Sequence, residues 1–139
     1  MSLWVLDTDT VSLLLRGHPG VTARVAGQPS EHLALTIITV EELLSGWHAR
    51  IRRAITDESM ERAYLALQQS VEFAAQVQLL PFDISAISRF HQLRRLHRRV
   101  GSNDLRIAAI TLENGATLVT RNASDFSFID GLRTENWAD

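Results

Sequence analysis

The spacing of apolar positions changes period several times along the chain. Leu3–Leu6 is a continuous apolar run that stops at Asp7, the pattern of a buried strand ending on a polar group. Val11, Leu14 and Leu15 then fall at helical spacing between Thr8 and Arg16, and Gly17 and Pro19 break the run. Val21 to Ala26 predicts a second short helix. His32–Ile38 is rich in leucine and β-branched residues and predicts a second strand. Thr39, with Glu42 three residues on, has capping-box spacing, and Val40, Leu43, Leu44, Trp47 and Ile51 share one face of the helix that follows. Thr56, with Asp57 and Glu58 behind it, opens another helix. Its Met60, Tyr64, Leu67, Val71 and Ala74 alternate four and three apart, so these two helices should form a hairpin whose apolar faces meet.

Leu79–Phe82 predicts an edge strand, because Pro81 cannot donate in a ladder. Asp83 caps a helix running to about Val100. Ser102 is placed to cap the next, Asn103 to Asn114, which Gly115 ends. Leu105, Ile107, Ala108, Ala109, Ile110 and Leu112 leave that helix almost no polar face, so it belongs between layers. Thr117–Thr120 reads as a central strand, Phe126–Asp130 as a loop, and Leu132–Glu135 as a last strand. Strands alternating with helices predict one α/β domain over residues 1–139. It has three layers, a mainly parallel sheet of about five strands flanked by helices, and a helical hairpin inserted between Thr39 and Leu80.

Composition narrows this modestly. The 139 residues are 45% hydrophobic and 22% charged, ordinary globular values. Cysteine is absent, so neither disulfides nor thiolate metal sites arise. No apolar run reaches membrane-spanning length and no leader pattern opens the chain, so the expectation is a cytoplasmic protein without membrane contact. A net charge of −2 excludes polyanion binding by bulk charge. All fourteen basic residues are arginine, which excludes any mechanism built on a lysine amine.

In parallel α/β sheets ligands sit beyond the carboxyl ends of the strands. Four acids fall there or at adjoining helix starts: Asp7, Glu42, Asp104 and Asp125. Converging carboxylates repel unless a cation joins them, and oxygen-only ligands suit Mg2+ or Mn2+. The chemistry expected is phosphodiester hydrolysis by a metal-activated water, without a covalent enzyme intermediate. Each acid also has a plainer reading. Asp7 caps the Thr8 helix, Glu42 completes a capping box, Asp104 is a first-turn acid favoured by the helix dipole, and Asp125 is a loop acid. Glu41 and Asp130 are their rivals.

These stretches resemble the PIN-domain nucleases, most closely the VapC-type toxins of bacterial toxin–antitoxin pairs. The matching residues are Leu6-Asp7-Thr8-Asp9, Thr39-Val40-Glu41-Glu42-Leu43, Asn103-Asp104-Leu105 with Ile107-Ala108-Ala109, and Thr117-Leu118-Val119-Thr120-Arg121-Asn122 followed by Asp125-Phe126. Gly131-Leu132-Arg133 and Glu135-Asn136-Trp137 close the match. The resemblance implies that Asp7, Glu42, Asp104 and Asp125 are catalytic acids binding Mg2+ or Mn2+, that RNA is cleaved, that a cognate VapB-type antitoxin inhibits, and that the chain forms a homodimer. Asn103, Thr120, Asn122 and Asp9 are candidates to support the acids. Asp9 departs from the asparagine many members carry.

From Arg89 to Arg99 the chain reads RFHQLRRLHRR. As a helix, it places Arg94, Arg95, Arg98 and Arg99 with His91 within roughly 140° of one another, opposite Phe90, Leu93, Leu96 and Val100. Two readings stand side by side: a ridge that tracks RNA phosphates, or a solvated face with arginines near a helix C-terminus. The histidines show no metal-ligand spacing. Two other classes share parts of the pattern. Asp7-Thr8-Asp9-Thr10 resembles the nucleophile turn of haloacid-dehalogenase-type phosphomonoesterases, with Asp7 as nucleophile. A receiver-type module or a non-catalytic partner-binding PIN relative also fits an acid cluster. The first two want a lysine, and the chain has none.

Overall fold

The computed structural model describes residues 2–139. Its sheet has five strands, all parallel: β1 (Trp4–Leu6), β2 (Leu33–Thr36), β3 (Gln78–Leu80), β4 (Thr117–Val119) and β5 (Arg133–Glu135), in the order β3-β2-β1-β4-β5. The helices are α1 (Thr8–Leu15), α2 (Pro19–Ala26), α3 (Ile37–Arg53), α4 (Asp57–Gln76), α5 (Ile84–Leu96), α6 (Ser102–Glu113) and α7 (Ala123–Phe126), with one 3-10 turn at Ser30–His32. No helix among the described residues is long and apolar enough to cross a membrane.

Alternation along the strands separates two cores. Val5, Ala34 and Leu118 point to one face, where Phe90 and Leu93 of α5 and Leu105, Ile107 and Ala108 of α6 cover them. Leu6, Leu35 and Val119 point to the other, under Val11, Val21 and Leu43 from the N-terminal helices. Fully burying side chains such as Leu6, Leu35 and Leu118 contributes about 2 kcal/mol each. As its sequence requires, α6 is buried on nearly every side, and Gly115 (φ 60°) turns the chain from it into β4.

Three boundaries and one helix face differ from the sequence expectation. First, α3 starts earlier: Thr36 is its cap and accepts the Thr39 amide at 3.1 Å. Both threonines precede β-branched residues of modest helix propensity, so burial of Ile38 and Thr39 decides the start and draws the first turn back onto the sheet. Glu42 therefore lies in the second turn, and the capping-box reading of it fails. Second, α5 stops at Leu96 because His97 leaves helical geometry (φ −130°, ψ 63°), so the chain can reverse into α6. Arg98 and Arg99 thus sit on the connecting turn and not on a helical ridge. Third, Gly101, not Ser102, precedes α6, and the Ser102 hydroxyl accepts from Arg94 at 2.6 Å. Fourth, α4 is rotated from the expected seam. Ala63 and Ser70 face inward, Trp47 donates to Ser70 at 2.7 Å, and Met60, Tyr64 and Val71 are exposed. Small residues let α4 approach α3 closely, which a Met/Tyr/Val seam would prevent.

Candidate active site

Asp7 follows β1 directly and caps α1. Its carboxylate accepts the Thr10 amide at 2.8 Å, and its own amide donates to the Val119 carbonyl at 3.0 Å. The Thr10 hydroxyl donates to the same carbonyl at 3.2 Å. Asp7 is thereby held at the junction of β1 and β4 and is only 8% exposed. Burial pushes its pKa above the ordinary aspartate value; the Thr120 hydroxyl and the Thr10 groups pull it down, and the charge of Asp9 raises it further.

Glu42 projects from α3 toward the same strand ends. Thr8 donates to its Oε1 at 2.5 Å and the Asn103 amide to its Oε2 at 3.3 Å. Arg106 donates to Asn103 Oδ1 at 2.7 Å, which fixes the orientation of that amide. Asp104 stands in the first turn of α6, at the solvent mouth. Its pKa is raised, first by partial burial of the carboxyl, then by the charges of Glu42, Asp7 and Asp125. Asp125 lies not in a loop but on α7, with its amide donated to the Asn122 carbonyl at 2.9 Å. Neither Glu41 nor Asp130, both exposed, contributes to the field at Asp104.

Four acids from four elements thus face one space. Among the described residues, no three acidic or histidine side chains are drawn in to metal-binding distance. The donor set fits a hard divalent cation nonetheless, since it is all carboxylate oxygen. The supporting residues divide. Asn103 and Thr120 contact the acids, through Glu42 and Asp7. Asp9 pairs instead with Arg121 at 3.6 Å on the surface, and Asn122 meets Thr120 through its backbone amide at 3.0 Å. Sequence reasoning passed over Thr8 and Arg106. Thr8 adjoins Asp7 in the first turn, and Arg106 is one helical turn from Asn103, so spacing alone could have flagged both.

Two grooves leave the acids. One, of about 630 Å3, runs from Asp104 and Asp125 past Arg95, Arg98 and Arg99, with Phe128 at its rim. The other, of about 380 Å3, runs from Thr8 and Glu42 between α1, α3 and α4 to Arg16, Arg50 and Arg53. Arg94 does not line the first groove; it ties α5 to the start of α6.

An all-parallel five-stranded sheet flanked by helices, with acids at its strand ends and adjoining helix starts, defines an α/β domain class. The family model of the PIN domain matches residues 4–132, and the chain belongs to that family. Within it, the chain falls among the VapC-type members. It is 33% identical to Ribonuclease VapC2 of Rickettsia felis, covering 97% of this chain and 98% of that one. It is 26% identical to Ribonuclease VapC1 of Haemophilus influenzae, over 97% and 98% of the two chains. The solved structure of DNA-bound VapBC from Salmonella typhimurium superposes with a TM-score of 0.80 at 26% identity, covering 99% of both chains. Membership sets aside the haloacid-dehalogenase and receiver readings.

Proposed function

We propose that the protein is a Mg2+- or Mn2+-dependent endoribonuclease and the toxin of a toxin–antitoxin pair. The observation that carries this reading is the convergence of Asp7, Glu42, Asp104 and Asp125 on one cleft. Relatives named as VapC ribonucleases along nearly the full chain support it. Mg2+ or Mn2+, when bound, supplies a water of lowered pKa and charge stabilisation at the phosphoryl group.

The chain's own residues do the rest. Asp7 is a rigid, buried carboxyl group, locked by the helix cap and by Thr120. Glu42 is aimed by Thr8 on one oxygen and Asn103 on the other. Asp104 binds its proton more tightly than an ordinary aspartate, so it holds charge best when a cation is near. Asp125, exposed on α7, lines the larger groove beside Asp104. The arginines of the larger groove, Arg95, Arg98 and Arg99, hold flanking RNA phosphates. By analogy with the VapBC complex, the partner is a cognate VapB-type antitoxin; the homodimer rests on the family resemblance alone.

The test is direct. With Mg2+ or Mn2+ the purified protein should cut RNA, and EDTA should stop it. Asp104→Asn, which changes one exposed carboxylate, should lower the rate at least 100-fold while leaving thermal unfolding cooperative. Cleavage by this variant at the parent rate overturns the mechanism. Rescue of growth by co-expressing a short neighbouring reading frame tests the toxin role.

A further inference from the structure

The turn after α7 leaves one large aromatic out in solvent. Phe128 is 78% exposed, whereas Phe126 and Ile129 on either side are 2% and 4% exposed. The backbone beneath it is well held. Ile129 N–H donates to the Phe126 carbonyl at 3.1 Å, and the Ser127 hydroxyl to the Ser124 carbonyl at 2.9 Å. The ring is therefore presented by a built turn anchored in the core on both sides. An exposed phenylalanine has a hydration cost with no return inside the fold.

Its surroundings say what would return it. Phe128 lines the groove of about 630 Å3 together with Arg95, Arg98, Arg99, Asp104 and Asp125. None of those three arginines has a carboxylate within ion-pair distance among the described residues. The groove thus joins, in one channel, a π-face, unpaired guanidinium groups and two of the four acids. A single-stranded nucleic acid carries the complementary set: a base to stack, phosphates to pair, and a scissile bond to reach the acids. Leu96 and Val100 line the channel too, but its three unpaired guanidinium groups favour a polyanion over an apolar peptide.

We propose that Phe128 is a base-stacking platform for an unpaired nucleotide flanking the scissile phosphate, with Arg95, Arg98 and Arg99 gripping the backbone on the same side. This rests on the ribonuclease reading above and adds to it one residue of this chain that contacts a base. A base inside a helix cannot offer its face to a side chain, so the substrate is RNA unpaired at that position, in a loop or a single strand.

Binding in an Asp104→Asn background, where cutting should be at least 100-fold slower, separates this from catalysis. Fluorescence anisotropy with a single-stranded oligoribonucleotide should show that adding Phe128→Ala weakens affinity roughly tenfold or more. Phe128→Trp should restore it, Phe128→Leu should not, and duplex RNA of the same sequence should bind alike in all four. The salt dependence should be unchanged by Phe128→Ala, since the arginines still neutralise the same phosphates. Equal single-strand affinity for the Ala and parent forms overturns the proposal, as does full rescue by Leu, which would signal a merely apolar contact. Loss of antitoxin binding with RNA affinity intact would assign Phe128 to a protein interface and overturn it equally. If the parent cuts no RNA with any divalent ion, the ribonuclease reading itself falls.

Discussion

The Asp7 carboxylate caps a helix while buried at 8% exposure, and the two roles pull its ionisation in opposite directions. Burial wins, and its pKa is raised. An acid whose folded pKa exceeds its unfolded value adds stability that is fully present below the unfolded pKa and lost as pH rises through the folded one. The unfolded value is about 3.9. Metal-free protein should therefore lose stability as pH climbs from about 4 toward neutrality. Asp7→Asn keeps a good cap and removes the charge. In EDTA at pH 7 it should unfold at a higher temperature than the parent, and the gap should close below about pH 4. A variant less stable than the parent at neutral pH would mean that hydrogen bonds to the anion outweigh its desolvation. At this scale the sequence was informative about which acids lie close enough to bear on Asp104, because strand ends and helix starts are marked by composition. It could not show how Glu42 differs from Glu41. That depends on which side of α3 faces Thr8 and Asn103, a fact set by helix phase against the sheet.

That phase is fixed one level up, where α3 begins. Thr36 is fully buried, caps α3 and ends β2 at once. Thr36→Ala should cost about 1–2 kcal/mol, at the upper end for a cap because the orphaned Thr39 amide is also buried. Urea unfolding measures it, and activity should fall more than stability predicts, since Glu42 is carried on the loosened turn. Elements were legible where periodicity was strong: β1, β2 and α6 came out within a few residues of expectation. Ends were not. Nothing local distinguishes Thr36 from Thr39 as a cap, and nothing in RFHQLRRLHRR announces that His97 leaves the helix. The exposed side of α4 was misread because a four-three apolar spacing describes a stripe without saying which neighbour claims it. Tertiary contact gave Ala63 and Ser70 the inward place.

Across the whole molecule, charge is distributed and not merely summed. The net charge is −2, yet Arg95, Arg98 and Arg99 share a groove with two of the four acids. Two arginines are engaged at the opposite end of the strands: Arg89 pairs with Glu113 at 2.8 Å, and Arg133 donates to the Gly115 carbonyl at 2.8 Å. The sequence showed a basic stripe but not this division, because α5 was read through to Val100. Ending at Leu96 swings Arg98 and Arg99 from a helix face onto a turn beside Asp104. The solvated-face reading and the phosphate reading now make different forecasts. If these side chains grip the backbone, Arg95→Ala with Arg98→Ala should flatten the slope of log affinity against log salt by about 1.4 for single-stranded RNA, some 0.7 for each phosphate no longer neutralised. Arg89→Ala, equally a loss of one positive charge from α5, should leave the slope where it was. Bulk electrostatics would shift both variants in proportion to charge removed. A local grip shifts only the first, so an equal change per charge in the two would return the arginine turn to an ordinary hydrated surface.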